Sequence, residues 1–294
     1  MDTAIYTVED QDRMTRAENY FSWQARLVRK HLGRRVLEVG CGTGNFTRLL
    51  LDRELVIAVD IEPRCIERLR ERHGDRRNVV SLVASPGIPE FRDLAKFRPD
   101  CCVCLNVLEH IEDDRAALEA IAAVLIPGGR IVLILPAFQS LYGPIDRKLG
   151  HHRRYTRRAI RGLAEAVGLQ VREAHYANLP GFFGWWTNAH VLRRDAQSER
   201  QIEVFDRYVV PLASAVESVA RPPFGQSLVA VLGTRGRSPS SSRSTPNAAR
   251  AGRCWRGCGA RRCRTAARRK SWWWTTGPRT GPGGLFASRR MRES

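Results

Sequence analysis

Long apolar runs are missing from this sequence. None reaches the roughly 20 residues that a membrane-spanning helix needs. The nearest candidate, LPGFFGWWTNAHVL at 179–192, is short and carries Asn188 and His190. It reads as a helix of a substrate cap, or as a helix lying in a membrane interface, where Trp is favoured. A disulfide framework is missing too. Five of the eight cysteines (Cys41, Cys65, Cys101, Cys102 and Cys104) lie in the first 105 residues, three of them crowded into one apolar run. No secretory leader is read at the start, so a reducing, cytoplasmic setting is expected.

Acid is nearly absent from one end. Residues 235–294 hold 16 Lys and Arg and a single acid, Glu293, and contain no Val, Ile, Tyr, Asp, His or Gln. The other 234 residues carry 33 basic and 29 acidic side chains, so most of the net charge of +19 belongs to the tail. Too little apolar mass remains there to offset the entropy of ordering it, and a disordered Arg-rich tail is expected. Cys254, Cys258 and Cys263 lack the paired spacing of a zinc site, and no metal is expected anywhere in the chain.

What is present before residue 235 is a rhythm. RRVLEVG (34–40), LVIAVD (55–60), NVVSLVA (78–84), CCVCLN (101–106) and RIVLILP (130–136) read as buried strands, with helical patterns between them. Strands that alternate with helices predict a parallel, doubly wound α/β sheet. A loop at 139–156, a helix at 157–168 started by Thr156, and a half-exposed strand at 169–179 follow. A helical insertion at 180–226 then precedes a last strand at 227–234. The predicted organisation is a domain over 1–234 with a helical lid at 1–33, then the tail.

The segment VLEVGCGTGNFT (36–47) is the most informative. A strand runs into a turn with Gly40, Gly42 and Gly44, and a helix is predicted to start near Asn45. The glycines let a ligand approach the backbone. A dinucleotide fingerprint needs G-x-G-x-x-G, whereas here G-C-G-T-G is followed by Asn45 and Phe46. Glu38 would repel a pyrophosphate and suits an ammonium group. Asp60 ends the second strand, 22 residues after Glu38, where it can accept from two ribose hydroxyls. An amine, a ribose and no phosphate describe S-adenosylmethionine.

With VLEVGCGTGNFT, AVDIEP, CLNVLEHIED and LIPGGRIVLILP together, residues 15–234 resemble the class I S-adenosylmethionine-dependent methyltransferases, small-molecule branch. The resemblance implies a seven-stranded Rossmann-like sheet. It implies cofactor contacts from Glu38, Gly40, Cys41, Gly42 and Gly44, from Asp60 and Ile61, and from Asn106, Val107 and Leu108. It also implies an aromatic cover such as Tyr20 and Trp23. In one departure, Ser85 stands where the family usually has an acid on the adenine. The alternatives are an NAD-type Rossmann oxidoreductase and a nucleic-acid-binding protein that works through the basic tail.

Direct methyl displacement needs alignment first and a base only for some acceptors. His110, His151, His152 and Tyr155 are the candidate catalytic groups. Tyr142, Arg153, Arg154 and Trp185 are candidates for holding a small-molecule, sugar or lipid-linked acceptor, with Asp146 weaker. For each there is a plainer reading: a positioned histidine, solvated arginines, core aromatics.

The tail yields one more reading. Trp272, Trp273, Trp274 and Thr275 must be encoded TGG-TGG-TGG-ACN. One nucleotide earlier, the same bases spell Val-Val-Asp, and the next triplets permit Asp-Gly-Ser-x-Asp-Gly-Thr. That resembles the nucleotide-sugar motif of a glycosyltransferase family, as a frame-shifted start. A neighbouring glycosyltransferase and a lipid-linked glycan acceptor are the expectations that follow, with peripheral contact at the inner membrane face left open and no specific nucleic acid. The competing reading is a nucleic-acid or membrane arm.

Overall fold

Five of the apolar runs become parallel strands, and four of them are covered on both faces, which favours continuous rather than alternating hydrophobicity. The computed structural model describes residues 8–192 and 199–234. The tail and its Trp triplet lie outside the described residues. The strands are β1 (Arg35–Val39), β2 (Leu55–Asp60), β3 (Val79–Val83), β4 (Cys101–Leu105), β5 (Arg130–Pro136), β6 (Gln170–Ala177) and β7 (Ser227–Gly233). They form one seven-stranded sheet in the order β3-β2-β1-β4-β5-β7-β6. β1 to β5 are parallel, and β7 runs antiparallel between β5 and β6. β7 is buried along its whole length, while the edge strand β3 is only partly covered.

The helices are α1 (Val8–Met14), α2 (Glu18–Val28), α3 (Pro63–His73), α4 (Asp114–Val124), α5 (Pro144–Lys148), α6 (Arg157–Ala166), α7 (Leu179–Trp186), α8 (Glu199–Val204) and α9 (Val210–Val219). On one face Ile121 of α4 and Ile160 of α6 pack with Leu37, Leu133 and Phe91. On the other, Trp23 and Val28 of α2 and Val210 of α9 pack with Val36, Val103 and Ile134. Helix starts follow local chemistry. Asp113 accepts from the Ala116 N–H at 2.9 Å, and Thr156 accepts from the Ala159 N–H at 3.2 Å, as its sequence position predicts.

Two expectations change. The segment after the glycine turn forms only a 3-10 turn, Thr47–Leu49, so no helix N-terminus faces the loop. The chain must turn at Leu50, whose carbonyl accepts from Arg53, to enter β2. Trp23 does not cover a cofactor. It is 3% exposed, and its indole N–H donates to Glu217 of α9 at 3.2 Å. The helical insertion is tied to its surroundings, because two of its acids, buried Asp206 and half-buried Glu217, accept from free N–H groups at helix starts. Asp206 accepts from the Tyr20 N–H at 2.8 Å, at the start of α2. Glu217 accepts from the Asn178 N–H at 2.7 Å, at the start of α7.

Candidate functional site

β1 has β2 on one side and β4 on the other, so the chain reverses its direction of travel across the sheet at β1. Ligands of open α/β sheets bind beyond the strand C-termini at that point. Gly40 and Gly42 sit there with φ of +74° and +53°, which L side chains rarely adopt. A Cβ on Gly40 would overlap Val107 beyond β4, and one on Gly42 would overlap the Gln11 side chain of α1. The Gly40 and Cys41 N–H groups donate to the Val59 carbonyl at 2.8 and 3.0 Å. The Gly42 N–H donates to Asp60 Oδ2 at 2.8 Å, and the Thr43 N–H to Gln11 Oε1 at 2.8 Å. Gly44 closes the turn onto the Cys41 carbonyl at 3.0 Å. The Cys41 side chain turns down against Ile66 and Leu69, so only its backbone faces the loop.

A buried acid, Glu38, and a half-buried one, Asp60, flank this loop. Glu38 is 3% exposed and accepts from Thr47 Oγ1 at 2.7 Å. Burial pushes its carboxyl up to about 8, against the Thr47 hydrogen bond. Burial also raises Asp60, although the Glu62 and Gly42 N–H groups oppose the rise. For each acid the cost of burial outweighs the hydrogen bonds its protein partners give it. Ile61, beside Asp60, is 70% exposed, an apolar shelf at the crevice mouth. Ser85 is half-buried beyond β3, where its carbonyl accepts from the Ile88 N–H at 3.0 Å.

The sign of the Glu38 shift makes a testable statement. A carboxyl whose folded pKa is raised contributes stability that is present below about 4.5 and lost as pH climbs through 8. Glu38→Gln imitates the protonated form. Without ligand it should melt on the order of 5 °C above wild type at pH 8 and level with it at pH 4.5 in scanning fluorimetry. Parallel melting curves at both pH values would contradict the burial argument.

The end of β4 builds the other wall. Asn106 has φ +53° and donates its N–H to the Ile134 carbonyl at 2.8 Å. Its side chain is hydrogen-bonded to Tyr20, whose phenol burial pushes up to about 12. Tyr20 is therefore the aromatic of α2 that reaches this wall. Val107 packs on Gly40. Leu108 does not line the crevice, because it is fully buried in the core.

The loop after β5 carries most of the catalytic candidates, and the structure reassigns several. Arg154 is 6% exposed and grips Asp146 through Nε at 2.8 Å and Nη2 at 3.1 Å. Its guanidinium lies 5.0 Å from the Trp185 ring centroid. Trp185 Nε1 donates to Asp146 at 3.3 Å. Arg153 pairs with Asp114 at 2.8 Å. Both arginines are spent on internal acids, so neither is free for an anionic acceptor. Tyr155 is buried and donates to Asp114 at 2.9 Å. Burial and that acid hold the phenol strongly protonated, which removes it as a base. Tyr142 donates to the His151 carbonyl at 2.7 Å and shapes the loop. The His152 side chain is exposed, while its backbone N–H donates to the Glu109 carbonyl at 2.8 Å.

His110 and His151 do come together, with ring centroids 4.6 Å apart and planes at 84°. Burial pushes His110 down to about 4, helped by the charge of His151. His151 Nδ1 sits 2.8 Å from Asp146 Oδ1. Burial alone would raise Asp146, but His151 and Arg154 hold it at about 2. Beside the pair lies Glu109, fully buried, which reading CLNVLEHIED for its histidine alone passes over. Among aromatics, Phe138 stacks on Tyr176 at 4.6 Å, and Phe182 meets Phe224 at 4.9 Å, forming an apolar wall from the cap. Tyr208 points outward, 62% exposed, and Phe205 packs toward α2 instead.

Comparison with known proteins is consistent with this geometry. The profile of a family described as a methyltransferase domain matches residues 13–174. An Aeromonas salmonicida ubiquinone biosynthesis O-methyltransferase is 26% identical over 178 residues, covering 54% of this chain and 74% of the relative. A Xylella fastidiosa ubiquinone biosynthesis O-methyltransferase is 35% identical over 103 residues, which is 34% of this chain and 40% of that one. Among solved structures, a chain of a Haloferax volcanii complex between a methyltransferase activator and a methyltransferase superposes with a TM-score of 0.53 at 16% identity. It covers 80% of this chain and 98% of its own length, and shows the shared fold.

Proposed function

The chain belongs to the methyltransferase-domain family, and from that premise we propose that it methylates an oxygen of an apolar or lipid-linked small molecule, using S-adenosylmethionine. The observation that carries the cofactor is the pair of acids, buried Glu38 and half-buried Asp60, at a glycine loop whose Gly42 N–H donates to Asp60. When bound, that cofactor supplies a methyl group on a sulfonium, ready for direct displacement. Glu38 is placed for its ammonium, Asp60 for its ribose hydroxyls and Ile61 for the face of its adenine. Ser85 can offer one hydrogen bond beyond β3. Asn106 and Val107 border the reacting side, and Tyr20 holds the Asn106 side chain in place. In this reading α1 and α2 exclude water from the crevice, since Gln11 and Tyr20 already bond its two walls.

The acceptor class rests on the cap. The Phe138, Phe182 and Phe224 wall suits an apolar ring or chain, and the curated relatives are named for oxygen methylation. The cap also leaves Leu212, Val216 and Val219 open, the last 90% exposed. That surface supports work at the cytoplasmic membrane face on a lipid-linked acceptor. The shifted frame of the tail adds a glycan to the expectation, through a neighbouring glycosyltransferase.

A methyl-transfer screen of the full chain tests the reading. Radiolabelled S-adenosylmethionine is supplied with phenolic, sugar and polyprenyl-linked glycan acceptors, free or in anionic vesicles. Label should enter an oxygen of an apolar or lipid-linked acceptor, at a rate raised several-fold by vesicles. Label confined to amine acceptors or to free polar sugars would overturn the acceptor assignment.

A further inference from the structure

Three donor atoms converge where no metal was expected. Among the described residues, Glu109, His110 and His151 each offer one ligand atom, and these atoms all lie within 4.8 Å of one another. Glu109 and His110 come from the 3-10 turn after β4, Leu108–His110, and His151 from the loop after α5. The sheet brings the two together, because β4 and β5 are parallel neighbours whose C-terminal loops leave the same edge.

Glu109 is the telling residue. It is fully buried, and among the described residues no other residue supplies a hydrogen bond to either carboxylate oxygen. Buried polar atoms in native proteins almost always find one. The nearby cation, Arg154, is already committed to Asp146 and to the Ala137 carbonyl. A carboxyl placed this way is costly as a packing element. It is well placed as a ligand.

The histidines are set up to match. His151 Nδ1 is held by Asp146 at 2.8 Å, and Asp146 is itself held by Arg154. His110 is hydrogen-bonded to the backbone of Leu149. A ring whose one N–H donates to a fixed acceptor has its tautomer set and presents the lone pair of the other nitrogen. Carboxylate-to-histidine support of this kind is the usual outer shell of a metal-bound imidazole.

We propose that Glu109, His110 and His151 bind one divalent transition-metal ion through two imidazole nitrogens and one carboxylate oxygen. Imidazole donors favour zinc, iron, nickel or copper over calcium, magnesium or manganese. Three protein ligands leave at least one position open. The turn that carries Glu109 and His110 follows directly on Asn106 and Val107, and the His110 N–H donates to the Val107 carbonyl at 2.9 Å. On the methyltransferase reading, to which this role is tied, the ion holds the acceptor hydroxyl and lowers its pKa, the proton passing to water. The exposed His152 and the buried Tyr155 are then not needed as bases.

The test uses the full chain, stripped with chelator and titrated with Co2+, then Zn2+, by calorimetry and visible absorption. One Co2+ per chain should bind with spectra of nitrogen and oxygen ligation, and Zn2+ should displace it. Glu109→Gln and His151→Gln should each weaken binding at least 10-fold while retaining the wild-type response of Tm to S-adenosylhomocysteine, which shows that they fold. His152→Gln and a triple Cys254→Ser, Cys258→Ser, Cys263→Ser variant should bind Co2+ as wild type does. Absence of binding at 100 µM Co2+, thiolate spectra lost in the triple variant, or unchanged affinity in the folded Glu109→Gln protein would overturn the site. If Co2+ binds as described and S-adenosylhomocysteine has no effect on the wild-type protein, the cofactor reading fails and the metal site stands; folding of the variants is then read from circular dichroism.

Discussion

Asp60→Ala should lose the rise in Tm expected when S-adenosylhomocysteine is added to the wild-type protein, and its affinity for that ligand should fall at least 100-fold by calorimetry. The expectation comes from the two tasks of one side chain. Asp60 Oδ2 accepts from the Gly42 N–H at 2.8 Å, and Oδ1 accepts from the Glu62 N–H at 3.0 Å. These bonds fix the glycine loop on one side and the start of α3 on the other. A carboxylate has further lone pairs beyond these bonds, so Asp60 keeps acceptor capacity for a ligand. Hydrogen bonds to a charged acceptor are worth about 1.5–3 kcal/mol each, so losing two to a ribose costs roughly 10²–10⁴ in affinity. The fold itself should suffer less. Burial disfavours the ionised Asp60, so its removal relieves a cost while breaking two backbone contacts. Without ligand the variant should melt within about 3 °C of wild type. Asp60→Asn keeps one acceptor and loses the charge, and its affinity should fall between the two. An unchanged ligand response in Asp60→Ala would falsify the assignment of the ribose to this residue.

What could be read from the sequence separates cleanly by range. Strands β1, β2, β4 and β5 were legible because a strand covered on both faces must be apolar at every position, and CCVCLN or RIVLILP has no other easy reading. Thr156 was legible as a cap because its partner, Ala159, is three residues away. The loop glycines were legible because positive φ selects glycine whatever surrounds it.

Pairings across the chain were not. Trp23 looks like a cofactor cover until Glu217 is seen to take its N–H. Tyr155 looks like a base until Asp114 is found to accept from it. GHHRRYT reads as an anion site only while its arginines are imagined free; Asp146, eight residues from Arg154, spends one of them. Glu109 is the reverse case. Beside His110, Glu112 and Asp113 it resembles one more solvated acid, and only the packing of the turn after β4 shows it buried with no hydrogen bond from another described residue. Local rules found the scaffold and the glycine loop. The chemistry beyond the loop depends on partners that no short window contains.

Arg154→Met should be among the most destabilising single changes in the chain, costing about 3–5 kcal/mol, or on the order of 10 °C in Tm. Removing one member of a buried pair leaves the other charged and unpaired. Asp146 would keep His151, the Gly143 N–H at 2.9 Å and Trp185, but lose the bidentate guanidinium. Asp146→Asn should cost a similar amount by stranding Arg154. The double variant Arg154→Met, Asp146→Leu should recover much of the loss, because neither charge is then stranded. The pH dependence has the opposite sign to that of Glu38. Asp146 is held at about 2, below its ordinary 3.8, so its contribution is present above 3.8 and is lost as pH falls through 2. Wild type should therefore lose stability between pH 4 and pH 2, and the double variant should lose less. Trp185 adds a second readout. Its ring packs on the guanidinium, so its fluorescence should change in Arg154→Met even in the folded protein. If instead the variant melts within 1 °C of wild type, the arginine is not part of the frame. It would then be free to meet an anionic acceptor, and the plainer reading of the loop would give way to the functional one.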